Sequence, residues 1–224
     1  GGDSSVSTKS LYRKVLNRNK KCITLDFHYE EARDIFYRLV KWADVVVANF
    51  RPETLKKFGI DYEDVVRYNP QIIYMAFSAF GRTGVNSDRP GYARAAEAYA
   101  GLAYITGEKN GGPLFSGTWI TDGIGGIYAA FLMALALFHK ERTGEGQLID
   151  LGLYEPLFRI MDNIPLNYDV FGQIRERNGN MHATSAPNNM YVTADNIRIA
   201  LPVNSQKMYE RFCNAVSKPE LISN

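Results

Sequence analysis

Apolar positions change their spacing several times along the chain, and each change marks an element. Residues 21–27 (Lys-Cys-Ile-Thr-Leu-Asp-Phe) read as a strand that follows a polar, basic surface lead-in over 1–20. Residues 29–43 read as an amphipathic helix with Ile35, Phe36, Leu39, Val40 and Trp42 on or near one face. Residues 44–49 (Asp-Val-Val-Val-Ala-Asn) and 71–77 (Gln-Ile-Ile-Tyr-Met-Ala-Phe) are continuous apolar runs, as expected of parallel strands buried on both faces. Helical turns fall between them at 53–57 and 62–68. A Gly- and Asn-bearing loop covers 78–90, a helix is expected over about 92–104, a turn over 107–113 and a long helix over about 122–142. Thr143-Gly144 stops that helix, with Lys140 and Arg142 in its last turn. A strand follows at 147–153, then a helix over 155–171 that Pro165 must bend or interrupt. Two short strands around Asp195-Asn196 lie within 191–201.

Strands alternating with helices predict an α/β fold, Rossmann-like, with a mainly parallel sheet and helices on both faces. The composition shift near 172 divides the chain into a large α/β domain over 1–172, a Gly/Asn-rich linker over 173–188, and the start of a smaller α+β domain over 189–224. The chain opens on Gly1-Gly2-Asp3 and stops at Leu221-Ile222-Ser223-Asn224, consistent with a piece of a longer protein. In such sheets ligands bind beyond the C-terminal strand ends, so the segments after Phe27, Ala48 and Phe77 are the places to look.

The 224 residues include 46% hydrophobic and 22% charged positions, an ordinary globular balance. Net charge is only +2 with both signs interspersed, which argues against a nucleic-acid partner. Two distant cysteines and three scattered histidines form no metal or disulfide pattern, so no metal is expected and a reducing compartment fits. No run reaches the ~20 apolar residues of a membrane span, and a cytoplasmic protein without a membrane partner is expected.

Asp122 is the main chemical candidate. It stands in Thr118-Trp119-Ile120-Thr121-Asp122-Gly123-Ile124-Gly125-Gly126, just before the apolar run 127–138. At a helix mouth an Asp serves as an N-cap or, with Gly123 and Gly125 admitting a ligand to backbone N–H donors, as a nucleophile. Local sequence alone favours the cap. The glycines resemble the start of a dinucleotide fingerprint, but Tyr128 takes the place of the last one and no P-loop Lys follows. Asn49-Phe50-Arg51-Pro52 closes a strand where an aromatic and a guanidinium could hold a purine and a phosphate, or simply form a turn. Asp88-Arg89-Pro90-Gly91-Tyr92-Ala93-Arg94 places two cations at a helix entrance, again either a phosphate site or a capped turn.

Several blocks together carry a family likeness: Leu16-Asn17-Arg18-Asn19-Lys20-Lys21, Thr24-Leu25-Asp26, Ala43-Asp44-Val45-Val46-Val47, Asn49-Phe50-Arg51-Pro52, Asn69-Pro70, Gly81-Arg82-Thr83-Gly84, Asp88-Arg89-Pro90-Gly91-Tyr92, the Asp122 segment, and Glu141-Arg142-Thr143-Gly144-Glu145-Gly146-Gln147 with Asp150. In this order and spacing they resemble the class III coenzyme A transferases, the CaiB/BaiF family, over the middle of the family chain. The resemblance implies coenzyme A transfer between an acyl-CoA and a carboxylic acid. Asp122 is then the nucleophile, forming an acyl-aspartyl anhydride and an aspartyl-CoA thioester in turn. It places coenzyme A against Leu25, Asp26, Phe27, His28, Asn49, Phe50, Arg51, Lys57, Arg89, Pro90, Gly91 and Tyr92, and an interlocked homodimer in the full-length protein. Gly123 and Gly125 are expected beside the acyl group as N–H donors, and Trp119, Ile120 and Tyr92 as the groups that keep water out.

Two departures stand out. The family commonly has an acid where this chain has Ala93 and a Gln where it has Glu97, which places Glu97 in the substrate pocket with a negative charge displaced by one turn. Tyr92 replaces the His of the racemase branch, so the alternative, an α-methylacyl-CoA epimerase, lacks its proton-abstracting partner. A non-catalytic module of the same fold is the other alternative.

Overall fold

The computed structural model of the chain describes residues 11–223. The first ten residues of the expected surface lead-in lie outside the described residues, and its second half forms α1 (Leu11–Leu16). The centre is a parallel sheet ordered β1 (Val45–Ala48), β2 (Ile73–Ser78), β3 (Gln147–Gly152). Val45 pairs with Ile73 and Ile73 with Gln147.

β2 is the most deeply buried element: Ile73, Tyr74 and Met75 have no exposed surface. The two-residue alternation of a strand sends its side chains into two separate cores. Ile72, Tyr74 and Ala76 meet Val40 of α2 (Glu30–Trp42), Leu55 of α3 (Pro52–Phe58) and Val65 of α4 (Tyr62–Val65). Met75 meets Ala129 of a long helix from the other face, together with Leu151 of β3. Helices therefore cover both faces of β2, as its apolar run predicts, whereas β1, expected to be buried in the same way, leaves Val47 57% exposed and only Ala48 buried.

The family-like polar blocks hold this layer together. The Asn69 amide donates to the carbonyls of Val40 and Ala43 at 3.0 Å each, closing the end of α2. Arg82 donates its backbone N–H to Asp150 at 2.8 Å, while its guanidinium meets Asp61 at 2.9 Å and Glu63 at 3.1 Å. Burial raises the Asp61 carboxyl above its ordinary range, outweighing the opposing pull of the Tyr62 N–H and Arg82.

Beyond β2 come α5 (Ala93–Tyr99), α6 (Leu102–Ile105) and the 24-residue α7 (Ile120–Thr143), which ends at Gly144 as expected. α8 (Glu155–Ile160) and α9 (Ile164–Phe171) follow, with Pro165 in the first turn of α9. β4 (Asn188–Val192) and β5 (Arg198–Pro202) form a separate antiparallel pair, followed by α10 (Gln206–Ala215).

Four expectations are corrected. Residues 21–27 form no strand: β1 pairs only with β2 among the described residues, and the segment docks through Phe27 against Phe36 and Phe58. The helix expected over 92–104 divides because Gly101 takes φ +93°, a left-handed value that interrupts the run. Trp42 lies 85% exposed, so the buried stripe of α2 is Ala32 and Val40 without the tryptophan. Finally, α7 is long and apolar enough by length and composition to cross a membrane, contrary to the sequence expectation. One of its faces packs on β2 and β3, and the other leaves Ile127, Phe131, Leu135 and Phe138 exposed.

α7 approaches the strand ends closely at one point. A Cβ on Gly125 would lie 2.8 Å from Phe77 Cζ and 3.0 Å from Leu153 Cδ1, whereas one on Gly126 would meet nothing within 4 Å. Gly126→Ala is expected to stabilise the protein by up to about 1 kcal/mol through helix propensity. Gly125→Ala is expected to lose that gain, because forcing Phe77 aside costs about 1–3 kcal/mol. Denaturation midpoints of the two variants check this; shifts of equal sign and size would refute the tight seat.

Candidate active site

Asp122 lies in the first turn of α7, three residues past the N-cap Trp119. It is therefore not the N-cap, and α7 has no side-chain cap at all. The helix's first internal hydrogen bond runs from Gly123 N–H to the Trp119 carbonyl at 2.9 Å. Gly123 is thus spent as a donor, and the N–H groups of Ile120, Thr121 and Asp122 are those the helix leaves unsatisfied. Gly125 serves to admit Phe77 and Leu153 and offers no opening to a ligand.

The Asp122 side chain borders a cavity of about 710 Å³ walled by Asn49, Ser78, Gly91, Tyr92, Arg94 and Trp119, with Phe77 and Leu153 behind. Asn49, Ser78 and Leu153 follow or end β1, β2 and β3, so the cavity lies beyond the C-terminal ends of all three parallel strands. Asp122 remains exposed towards the cavity, yet the surrounding apolar groups desolvate its carboxyl and raise it above the ordinary aspartate range. This is opposite to the lowering that the helix dipole alone would give. No ion pair or hydrogen bond to the carboxylate is formed among the described residues.

Of the residues singled out from sequence, the structure gathers Asn49, Gly91, Tyr92, Trp119 and Asp122 around one space. Gly91 is required there, since a Cβ would come within 2.6 Å of the Ala79 side chain. Arg51 donates to the Asp88 carbonyl at 3.3 Å, tying the 49–51 segment to the loop of Arg89 and Pro90. A second group forms around α3. The His28 ring packs edge-on to Phe58 at 5.3 Å, Phe27 touches the same ring, and Lys57 Nζ lies 5.7 Å from it. Asp26 accepts both the N–H of His28 and its Nδ1, and these bonds hold the Asp26 carboxyl below its ordinary range. Leu25 is half-buried, while Phe50 and Arg89 are exposed.

Glu97 is set apart from the main cavity. It is 3% exposed, accepts the Ser116 N–H at 2.7 Å, and borders an adjoining cavity of about 200 Å³ with Arg94, Trp119 and Thr121. Ile120, expected to exclude water, borders neither cavity. Phe77, Ser78 and Leu153 were not assigned to the site from sequence, although they stand at strand ends where the sheet rule points, and Arg94 was singled out only as one of two cations in a phosphate site or capped turn. A larger cavity of about 910 Å³ lies along α9 and residues 173–184, but away from the strand ends and from Asp122. Among the described residues no cluster of His, Cys, Asp and Glu could hold a metal ion.

The family model for CoA-transferase family III matches residues 2–224. The chain is 38% identical over 207 residues to the succinyl-CoA–L-malate CoA-transferase alpha subunit of Chloroflexus aurantiacus, covering 92% of this chain and 48% of that protein. It is 36% identical over 205 residues to the succinate–glutarate CoA-transferase of Agrobacterium fabrum, covering 92% and 51%. A CAIB/BAIF family protein from Brucella suis superposes with a TM-score of 0.78 at 33% identity, covering 93% of this chain and 55% of that one. The hypothetical protein Rv3272 from Mycobacterium tuberculosis gives 0.80 at 27%, with the same coverage. The chain thus spans about half the length of the curated relatives it matches. With the parallel sheet, the cavity at its strand ends and the ordered motifs all in agreement, the chain belongs to CoA-transferase family III, the CaiB/BaiF family.

Proposed function

We propose that this chain carries the catalytic aspartate and much of the coenzyme A site of an enzyme that moves coenzyme A from an acyl-CoA to a carboxylic acid. The observation that supports it most is the setting of Asp122, an unpartnered carboxylate in the first turn of an uncapped helix, on the wall of a cavity at three parallel strand ends.

In this reading Asp122 attacks the thioester carbonyl carbon, and the carbonyl π electrons move onto oxygen. The Asp122 N–H, which the helix leaves unsatisfied on the cavity wall, serves in this reading as a donor to that oxyanion, such a donor contributing roughly 2.7–4 kcal/mol in comparable acyl-transfer sites. Collapse expels the coenzyme A thiolate and leaves an acyl-aspartyl anhydride. The thiolate then attacks the aspartyl carbonyl, releasing the donor acid and leaving an aspartyl-CoA thioester. The acceptor carboxylate attacks this thioester, forming a second anhydride, and the freed thiolate takes its acyl group. The Asn49–Arg51 and Arg89–Tyr92 segments, joined by the Arg51 bond to Asp88, flank one side of the coenzyme path. In this reading residues 25–28 and Lys57 flank the other, with Phe27, His28 and Lys57 meeting at the Phe58 ring.

For the whole protein we propose a cytoplasmic homodimer with a large domain over 1–172, a linker over 173–188 and a small domain beginning at 189. The separate β4–β5 pair supports the division, and the exposed apolar edge of α7 supports its burial in the assembly.

The full-length protein, incubated with an acyl-CoA and then hydroxylamine, is expected to carry the trapped modification on Asp122. Asp122→Asn is expected to abolish the adduct and reduce turnover by roughly 10⁴-fold or more. Because burial raises this carboxyl, the fold disfavours its ionised form, so the same substitution should leave stability at pH 7 unchanged or improved. Attack requires the carboxylate, so activity is complete at neutral pH and lost as pH falls through a midpoint above the ordinary value of 3.8. A midpoint at or below that value would contradict the setting described. Glu97→Gln keeps an acceptor for the Ser116 N–H but removes a charge; turnover is expected to slow more than in Glu141→Gln, an exposed helix position. Equal rates in the two variants would remove Glu97 from the site.

A further inference from the structure

Arg94 contributes little to the fold. It lies in the first turn of α5, where the positive end of the helix dipole disfavours a cation, and that turn holds no acidic residue. Among the described residues it forms no ion pair. Its guanidinium rests 5.0 Å over the Phe115 ring. Stacking of this kind fixes the plane of the fork and leaves its N–H edges open to a planar anion.

Arg94 and Asp122 are the two charged side chains on the wall of the 710 Å³ cavity, and Arg94 also reaches the 200 Å³ cavity beside it. No ion pair joins the Arg94 guanidinium to Asp122 among the described residues. The nearby negative charge, Glu97, is buried and already accepts the Ser116 N–H. A cation on the same wall as the nucleophile, yet unpaired with it, fits an acid that carries two carboxyl groups. One reacts at Asp122 while the other is held at a distance.

Building on the transfer reading above, we propose that Arg94 binds the remote carboxylate of a dicarboxylic acyl group and so selects dicarboxylic over monocarboxylic acids as donor and acceptor. The selectivity has a direct physical origin. A charge-assisted, bidentate pair forms only with the second carboxylate, whereas a methyl-ended analogue desolvates the guanidinium without replacing its lost water.

The test compares succinyl-CoA with butyryl-CoA, which match in chain length and differ in the terminal carboxylate, using the full-length protein. The wild type is expected to prefer succinyl-CoA in kcat/KM. Arg94→Met should shrink that preference about 10- to 100-fold, and Arg94→Lys should restore part of it. An equal loss for both donors would assign Arg94 to coenzyme A or to the fold and overturn the proposal, as would an unchanged preference. A wild type that forms no acyl-enzyme with either donor would sink the transfer reading itself, and this selectivity with it.

Discussion

The site depends on how near one helix can come to one sheet. α7 reaches the ends of β2 and β3 because Gly125 presents only a hydrogen where Phe77 and Leu153 press inward. That contact lies within one turn of Asp122, so the depth of the helix on the sheet also sets the position of the carboxylate. Phe77 shares this duty with the strand that divides the two cores: its neighbours Met75 and Tyr74 point to opposite faces and have no exposed surface. A rigid, fully buried strand is a sound reference for a reacting group, since close-packed interiors yield little to small strains.

The electrostatics of the same region run against stability. A carboxylate desolvated without a partner, a cation in the first turn of α5 and a helix start with no capping side chain each cost folding free energy. Elsewhere the chain satisfies such groups with care. Arg82 binds Asp61, Glu63 and Asp150 together, and the Asn69 amide closes the end of α2. The contrast between well-paired scaffold and unpaired cavity wall is the usual mark of a functional surface.

Much of the fold was legible from residue order. The runs at 44–49 and 71–77 are too uniformly apolar for anything but strands, although only the second is buried on both faces while β1 leaves Val47 exposed, and Pro165 and Gly144 divide or end helices through their backbone chemistry alone. The failures have equally definite causes. Residues 21–27 carry a strand-like composition, but composition cannot supply a neighbouring strand, and Phe27 gains more by joining Phe36 and Phe58. Asp122 was placed at the helix mouth correctly to within a turn, yet its N3 position and the engagement of Gly123 are three-dimensional facts. Arg94 was visible only as a cation near a helix entrance, because its place on the cavity wall without an ion pair among the described residues depends on contacts between distant segments.

The aromatic rim of the cavity has a chemical consequence. Tyr92 and Trp119 lie 86% and 60% exposed, so the chamber stands open to bulk solvent at its mouth. Under the proposed transfer, a mixed anhydride formed behind an open mouth would partition between thiolate and water. The ratio of transfer to hydrolysis therefore gauges how completely the rest of the protein shuts that mouth during turnover.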